Sequence, residues 1–269
     1  MKRGWKDIGI GFLLGSTMSI PGVSGGTMAM AIGYYKPIMK AAANLRKKRC
    51  FFFLLRILAG GLGGFLLGAG TLNYTLELLP ITVTLLFSGA VLAGIYVLGR
   101  ETLKKGISLN GILFFLLGVL LVLTVDQLPK GKICTSPLLS VLWGFFLATG
   151  LILPGISTSH LLTVFGLYGI VTDISYSNLS RLIPLAMGVF LGIILLTKPL
   201  ANAMDRFERE CNWILLGFSA GSLKSLIAPC LTSPQISYIP WFQTINGVIL
   251  GVGAAFLILK IQKTEAKKL

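Results

Sequence analysis

The chain has 269 residues, 54% of them hydrophobic and only 12% charged, with a mean hydropathy of +0.84. A soluble domain carries about 25% charge, so this composition excludes a soluble globule and predicts an all-α polytopic membrane protein. The balance of 24 Lys+Arg against 9 Asp+Glu, a net +15, is in such a chain a topology signal before it is a nucleic-acid signal.

A basic leader, Lys2, Arg3 and Lys6, runs into an apolar region over 8–40 with no cleavage site of a signal peptide. The region breaks at Ile20-Pro21-Gly22-Val23-Ser24-Gly25-Gly26-Thr27. Proline removes a backbone donor and disfavours helix in the residue before it, and glycine loosens the chain. Residues 8–20 then form a half-helix of about 20 Å, which passes mid-membrane but does not cross a core of about 30 Å. Three runs long enough to cross follow at 51–72, 79–99 and 109–125. A second interrupted region, 138–172, breaks at Leu153-Pro154-Gly155-Ile156-Ser157-Thr158-Ser159-His160. Three more runs follow at 182–200, 211–230 and 241–260, and a basic tail occupies 261–269. No GxxxxGK[ST] loop is present, and neither the one histidine nor the four cysteines have metal-site spacing, which excludes the usual ATPase and zinc-site signatures.

The two halves repeat. At a shift of 133, Gly11-Phe12 aligns with Gly144-Phe145, Pro21-Gly22 with Pro154-Gly155, Ser24 with Ser157, and Gly33 with Gly166. At a shift of 128, Gly60 and Gly64 align with Gly188 and Gly192, both small-xxx-small packing spacings, and Gly89 with Gly217. We therefore expect one membrane domain over 1–269, with repeat 1 over 8–127 and repeat 2 over 138–260.

Basic residues set the topology. If each broken region is a re-entrant hairpin, 20 of the 24 Lys+Arg fall on one side, Lys130, Lys132 and Arg181 on the other, and Lys224 within a span. The positive-inside rule then puts both termini in the cytoplasm. Three crossings per unit make the second copy inverted relative to the first. Inverted repeats with broken helices meeting at the midplane are a signature of secondary transporters.

Each break leaves a half-helix N-terminus with free N–H groups and the positive end of a dipole. Pro21, Gly22, Ser24, Gly25, Gly26 and Thr27 in the first, and Pro154, Gly155, Ser157, Thr158 and Ser159 in the second, have the composition of an anion site. The plainer reading is a pair of kinked core helices. Lys224, deep in a span, and Arg56, one turn inside another, are candidate cations for the same anion; Lys224 also fits a pairing with a carboxylate or carbonyl or snorkelling to the outer surface, and Arg56 an anchor at headgroup depth. His160 is a candidate proton carrier, or a polar residue satisfied by backbone. Glu77, Glu101, Asp126 and Asp173 lie near span ends. Cys50 and Cys211 fall on the cytoplasmic side, and Cys134 and Cys230 on or near the outer face, where a disulfide is open to them. The cluster Arg46–Arg49 is a topology determinant that attracts anionic lipids.

Ser19-Ile20-Pro21-Gly22-Val23-Ser24-Gly25-Gly26-Thr27, followed by Leu153-Pro154-Gly155-Ile156-Ser157 in the second half, resembles the bacterial and archaeal polyprenyl-phosphate transporter family, formerly domain of unknown function 368. The likeness covers nearly the whole chain, with Thr158 where a glycine is usual and His160 where an apolar residue is usual. The resemblance implies a flippase that returns undecaprenyl phosphate from the outer to the inner leaflet for cell-wall biogenesis, in a bacterial or archaeal cytoplasmic membrane. No cofactor, no nucleic-acid partner and no enzymatic step are expected. The alternative is a transporter or channel for a small anion or organic acid; a lipid phosphatase lacks an evident nucleophile with an acid/base pair.

Overall fold

The computed structural model describes residues 2–18, 23–128, 136–167, 171, 176–232 and 241–266, and among these no strand occurs. The helices are α1 (Lys2–Met18), α2 (Gly25–Ile32), α3 (Tyr35–Ala43), α4 (Lys48–Leu78), α5 (Pro80–Lys104) and α6 (Leu109–Asp126). There follow α7 (Pro137–Ile152), α8 (Thr158–Val164), α9 (Tyr176–Arg206), α10 (Glu208–Thr232) and α11 (Trp241–Ala266). Local chemistry sets several of these starts. Pro80 and Pro137 open α5 and α7, where a missing N–H costs nothing. Ser108 caps α6 by accepting the Gly111 N–H at 3.1 Å.

Among the described residues, α4, α5, α6, α9 and α11 are long and apolar enough to cross a membrane. Their outer faces carry rows of exposed apolar side chains, such as Leu58, Leu62 and Leu66 on α4 and Leu113, Leu116 and Leu120 on α6. Water does not tolerate apolar surface on that scale, and the chain is a multi-pass membrane protein. The expected span at 211–230 is helical, as α10, but is less apolar than the other five. The reason is its position. Asn212, Ser219 and Ser222 of α10 are buried, so much of this helix faces protein instead of lipid.

The two halves pack alike. The most extensive helix pairs are α1 with α4 and α7 with α9, then α5 with α11 and α6 with α10, and α5 also packs on α10. Both of the first two pairs are parallel. Gly4 faces Arg56, Ile8 faces Gly60, Phe12 faces Gly64 and Ser16 faces Gly68; in the second, Val141 faces Gly188 and Ala148 faces Gly192. The seams depend on missing side chains. A methyl on Gly15 overlaps the Gly61 carbonyl, and one on Gly188 overlaps that of Val141. The expected small-xxx-small residues thus lie in helix seams. Cys50 and Cys211 are free thiols. Cys134, Asp173 and the tail residues 267–269 lie outside the described residues, as do the side chains of Cys230, Glu77 and Arg181.

Candidate functional site

Each break begins a short helix in the same way. Ser24 precedes α2 with φ −92° and ψ 133°, and Ser157 precedes α8 with φ −75° and ψ 119°, the extended geometry of an N-cap. Their carbonyls accept from Met28 N at 3.0 Å and Leu161 N at 3.1 Å. The helices also end alike. Gly33 (φ 85°) and Gly166 (φ 68°) are both left-handed. Tyr34 N donates to Ala29 O, and Leu167 N to Leu162 O, each at 2.7 Å, a Schellman closure in both. The 133-residue alignment therefore matches backbone conformation as well as residue type.

The breaks meet. Gly155 N donates to Thr27 Oγ1 at 2.7 Å in a buried contact. Gly26 lies so close to Pro154 that an added methyl falls 3.0 Å from the Pro154 Cα. Gly155 has φ 86° and sits on α10, where an added methyl falls 2.7 Å from the Phe218 carbonyl carbon. Both the conformation and the space at 155 require glycine.

Ser24 is 2% exposed, and among the described residues its Oγ has no hydrogen-bond partner. The N–H groups of Gly25, Gly26 and Thr27 open α2 and have no carbonyl one turn earlier in the helix. In the second break the hydroxyl is used internally, since Ser157 Oγ accepts from His160 N at 3.4 Å. The two breaks are alike in backbone and differ in what they leave free. Pro21, Gly22 and the side chain of Ser159 lie outside the described residues; Thr158 is half-buried at the start of α8.

His160 aligns with Thr27 at the shift of 133. Its Nε2 lies 2.9 Å from Val125 O at the end of α6. A carbonyl only accepts, so that nitrogen carries the hydrogen. Beside it, Ser225 of α10 donates to Asp126 Oδ2. Lys224 is exposed on α10, and among the described residues no carboxylate pairs with it. Arg56 is not free. Its guanidinium donates to Asp7 Oδ2 at 3.0 Å, joining α4 to α1, with Asp7 6% exposed. Asp7 escapes sequence reasoning because it looks like one more charge in a basic leader.

A second ionic group lies where α3 meets the α9–α10 corner. Lys36 donates to Glu208 Oε1 at 2.9 Å, Lys105 donates to Glu208 Oε2, and Lys40 pairs with Asp205 at 3.0 Å. Arg209 donates to Gly106 O at 3.0 Å. These residues tie α3 of the first half to α9 and α10 of the second, around a cavity of about 180 Å³. The hydrogen bonds from Lys105 and Lys36 hold the Glu208 carboxyl at about 2, below its ordinary 4.5. Asp205 and Glu208 were not singled out from sequence.

A polyprenyl-phosphate transporter of Staphylococcus aureus is 27% identical over 272 residues, covering 92% of this chain and 93% of the relative. A polyprenyl-phosphate transporter of Vibrio cholerae serotype O1 is 23% identical over 253 residues, covering 88% of this chain and 78% of the relative. No solved structure matches the chain significantly. Residues 14–236 match the undecaprenyl phosphate translocase-like family, more than half of the sequence, and the chain belongs to that family.

Proposed function

We propose that this protein is a flippase that carries a polyprenyl phosphate, of the undecaprenyl type, from the outer to the inner leaflet of a bacterial or archaeal cytoplasmic membrane. The names of its relatives support the substrate class. The phosphate sits at the N-terminus of α2, against Ser24, Gly25, Gly26 and Thr27, where that terminus meets the second break at Pro154, Gly155 and Ser157. The observation that carries this reading is the 2% exposed Ser24 hydroxyl with no described partner, at a helix N-terminus that touches the opposite break. Free N–H groups, a free hydroxyl and a helix dipole recognise an oxyanion.

Two features support a re-entrant, inverted architecture. Because α1 and α4 lie parallel, the chain between them returns to the side where α1 began; the same holds for α7 and α9. An odd number of crossings in each half then sets the halves in opposite orientation, with both termini in the cytoplasm. Exposed Lys224 supplies compensating positive charge for the phosphate, and His160, held at Val125, is the proton-coupling candidate.

The test is complementation. In cells stripped of their own transporters for this lipid, the wild-type chain lowers undecaprenyl phosphate on the outer surface, and Ser24→Ala lowers it less. Unchanged surface lipid on expression of the wild-type chain overturns the proposal. Uptake of a soluble organic anion without lipid movement favours the small-anion alternative.

A further inference from the structure

Resting on the transport reading, we infer that the step between the end of α7 and the continuing α9 is a groove for the isoprenoid tail of the substrate. The cavity measures about 360 Å³ and is lined by Thr149, Ile152 and Leu153 at the end of α7 and by Leu196, Pro199, Leu200 and Ala203 on α9.

The break itself creates this space. α7 and α9 run parallel, with Val141 level with Gly188 and Ala148 level with Gly192. The same register sets Ile152 beside Leu196. There α7 ends, while α9 continues past it through Pro199, Leu200 and Ala203. The face of α9 that α7 covers further back is left open for about 10 Å, the length of seven helical residues.

The lining offers nothing to a polar ligand. Its one hydroxyl, on Thr149, donates to Phe146 O at 2.6 Å and is satisfied within α7. An apolar cavity of about 150 Å³ already takes up a benzene ring, so a volume of about 360 Å³ accommodates several branched carbons. Continuity with the candidate headgroup site selects the occupant. Leu153 lines the groove, and the next residue, Pro154, touches Gly26 of the phosphate cradle. A phosphate held at α2 therefore has its ester oxygen within reach of the groove mouth. A single chain on a terminal phosphate fits this geometry. A phospholipid does not, because its phosphate carries a glycerol and a second headgroup that must also enter the tight contact between the breaks.

The experiment uses the full-length protein in phosphatidylethanolamine and phosphatidylglycerol vesicles containing a small fraction of undecaprenyl phosphate. A photo-crosslinking benzophenone side chain replaces Leu200, and adducts are weighed by mass spectrometry. The groove assignment predicts polyprenyl-phosphate adducts far above that lipid's share of the vesicle. Adducts with bilayer phospholipid alone overturn it. In parallel, Ala203→Phe fills the far end of the groove. Translocation of undecaprenyl phosphate falls roughly tenfold, as expected when about two methylene groups are kept from burial. Dimethylallyl phosphate, a single isoprene unit and too short to cross the about 10 Å of open α9 to Ala203, moves at the wild-type rate. An Ala203→Phe chain that moves the long lipid normally overturns the groove. A wild-type chain that moves neither lipid overturns the transport reading instead, and the crosslinking result still decides what the groove holds.

Discussion

Thr27→Val is the sharpest perturbation of the contact between the two breaks. It nearly preserves the shape of a side chain that is 2% exposed and removes the oxygen that accepts from Gly155 N at 2.7 Å. Gly155 lies buried against Phe218, so its N–H gains no water in exchange. A buried donor left unsatisfied costs about 1–3 kcal/mol. For a chain of this size each kcal/mol is worth about 2–4 °C, so the melting temperature in detergent falls by several degrees. Thr27→Ser retains the acceptor and most of the stability. The local readout is hydrogen exchange: the Gly155 amide loses protection in Thr27→Val and keeps it in Thr27→Ser. Transport of polyprenyl phosphate falls with the bond, because the same contact fixes the N-terminus of α2 opposite the second break. Unchanged Gly155 exchange and unchanged melting in Thr27→Val refute the reasoning.

Other substitutions probe the frame around the site. Arg56→Ala strands a buried Asp7 carboxylate and costs about 1–3 kcal/mol, less than the penalty for a fully buried pair because the guanidinium is 41% exposed; Asp7→Asn costs less, and Asp7→Asn with Arg56→Ala recovers stability over Arg56→Ala alone in thermal melts. Glu208→Gln lowers stability at neutral pH. The Glu208 carboxyl is held at about 2, below its unfolded value of about 4.3, so its contribution is complete above the unfolded value. The gap between wild type and variant therefore narrows as pH falls from about 4.3 toward 2, which melting curves across that window measure. Gly15→Ala drives a methyl into the Gly61 backbone and costs about 1–3 kcal/mol by overpacking, whereas Gly9→Ala, with nothing within 4 Å of the added carbon, leaves the melting temperature unchanged or higher. His160→Asn keeps a donor toward Val125 but cannot titrate; under the proton-coupling proposal transport persists and loses its response to a pH gradient, measured in vesicles.

What the sequence made legible was set by local chemistry. Proline and glycine mark the breaks because they alter the backbone wherever they stand, and the aligned Gly33 and Gly166 fall on two left-handed helix ends. The glycine seams were readable because their spacing is helical. What stayed hidden depends on the tertiary arrangement. Nothing in the spacing joins Thr27 to Gly155, 128 residues away. Asp7 and Arg56 look like separate leader and anchor charges until α1 and α4 lie side by side. Composition could not distinguish lipid-facing helices from α10, whose polar residues are tolerated because neighbouring helices cover them. Lys36, Lys40, Asp205 and Glu208 likewise form a group only once α3 reaches the α9–α10 corner.

The central claim is that this chain moves a polyprenyl phosphate across the bilayer using the N-terminus of α2. The direct measurement follows a labelled polyprenyl phosphate in the outer leaflet of sealed vesicles containing purified protein, with a membrane-impermeant quencher reporting what remains outside. The account predicts that wild-type protein removes the label from the outer leaflet much faster than empty vesicles do, and that Ser24→Ala, which keeps the helix but deletes the free hydroxyl, does so more slowly. Loss of label from wild-type vesicles at the rate of empty ones contradicts it.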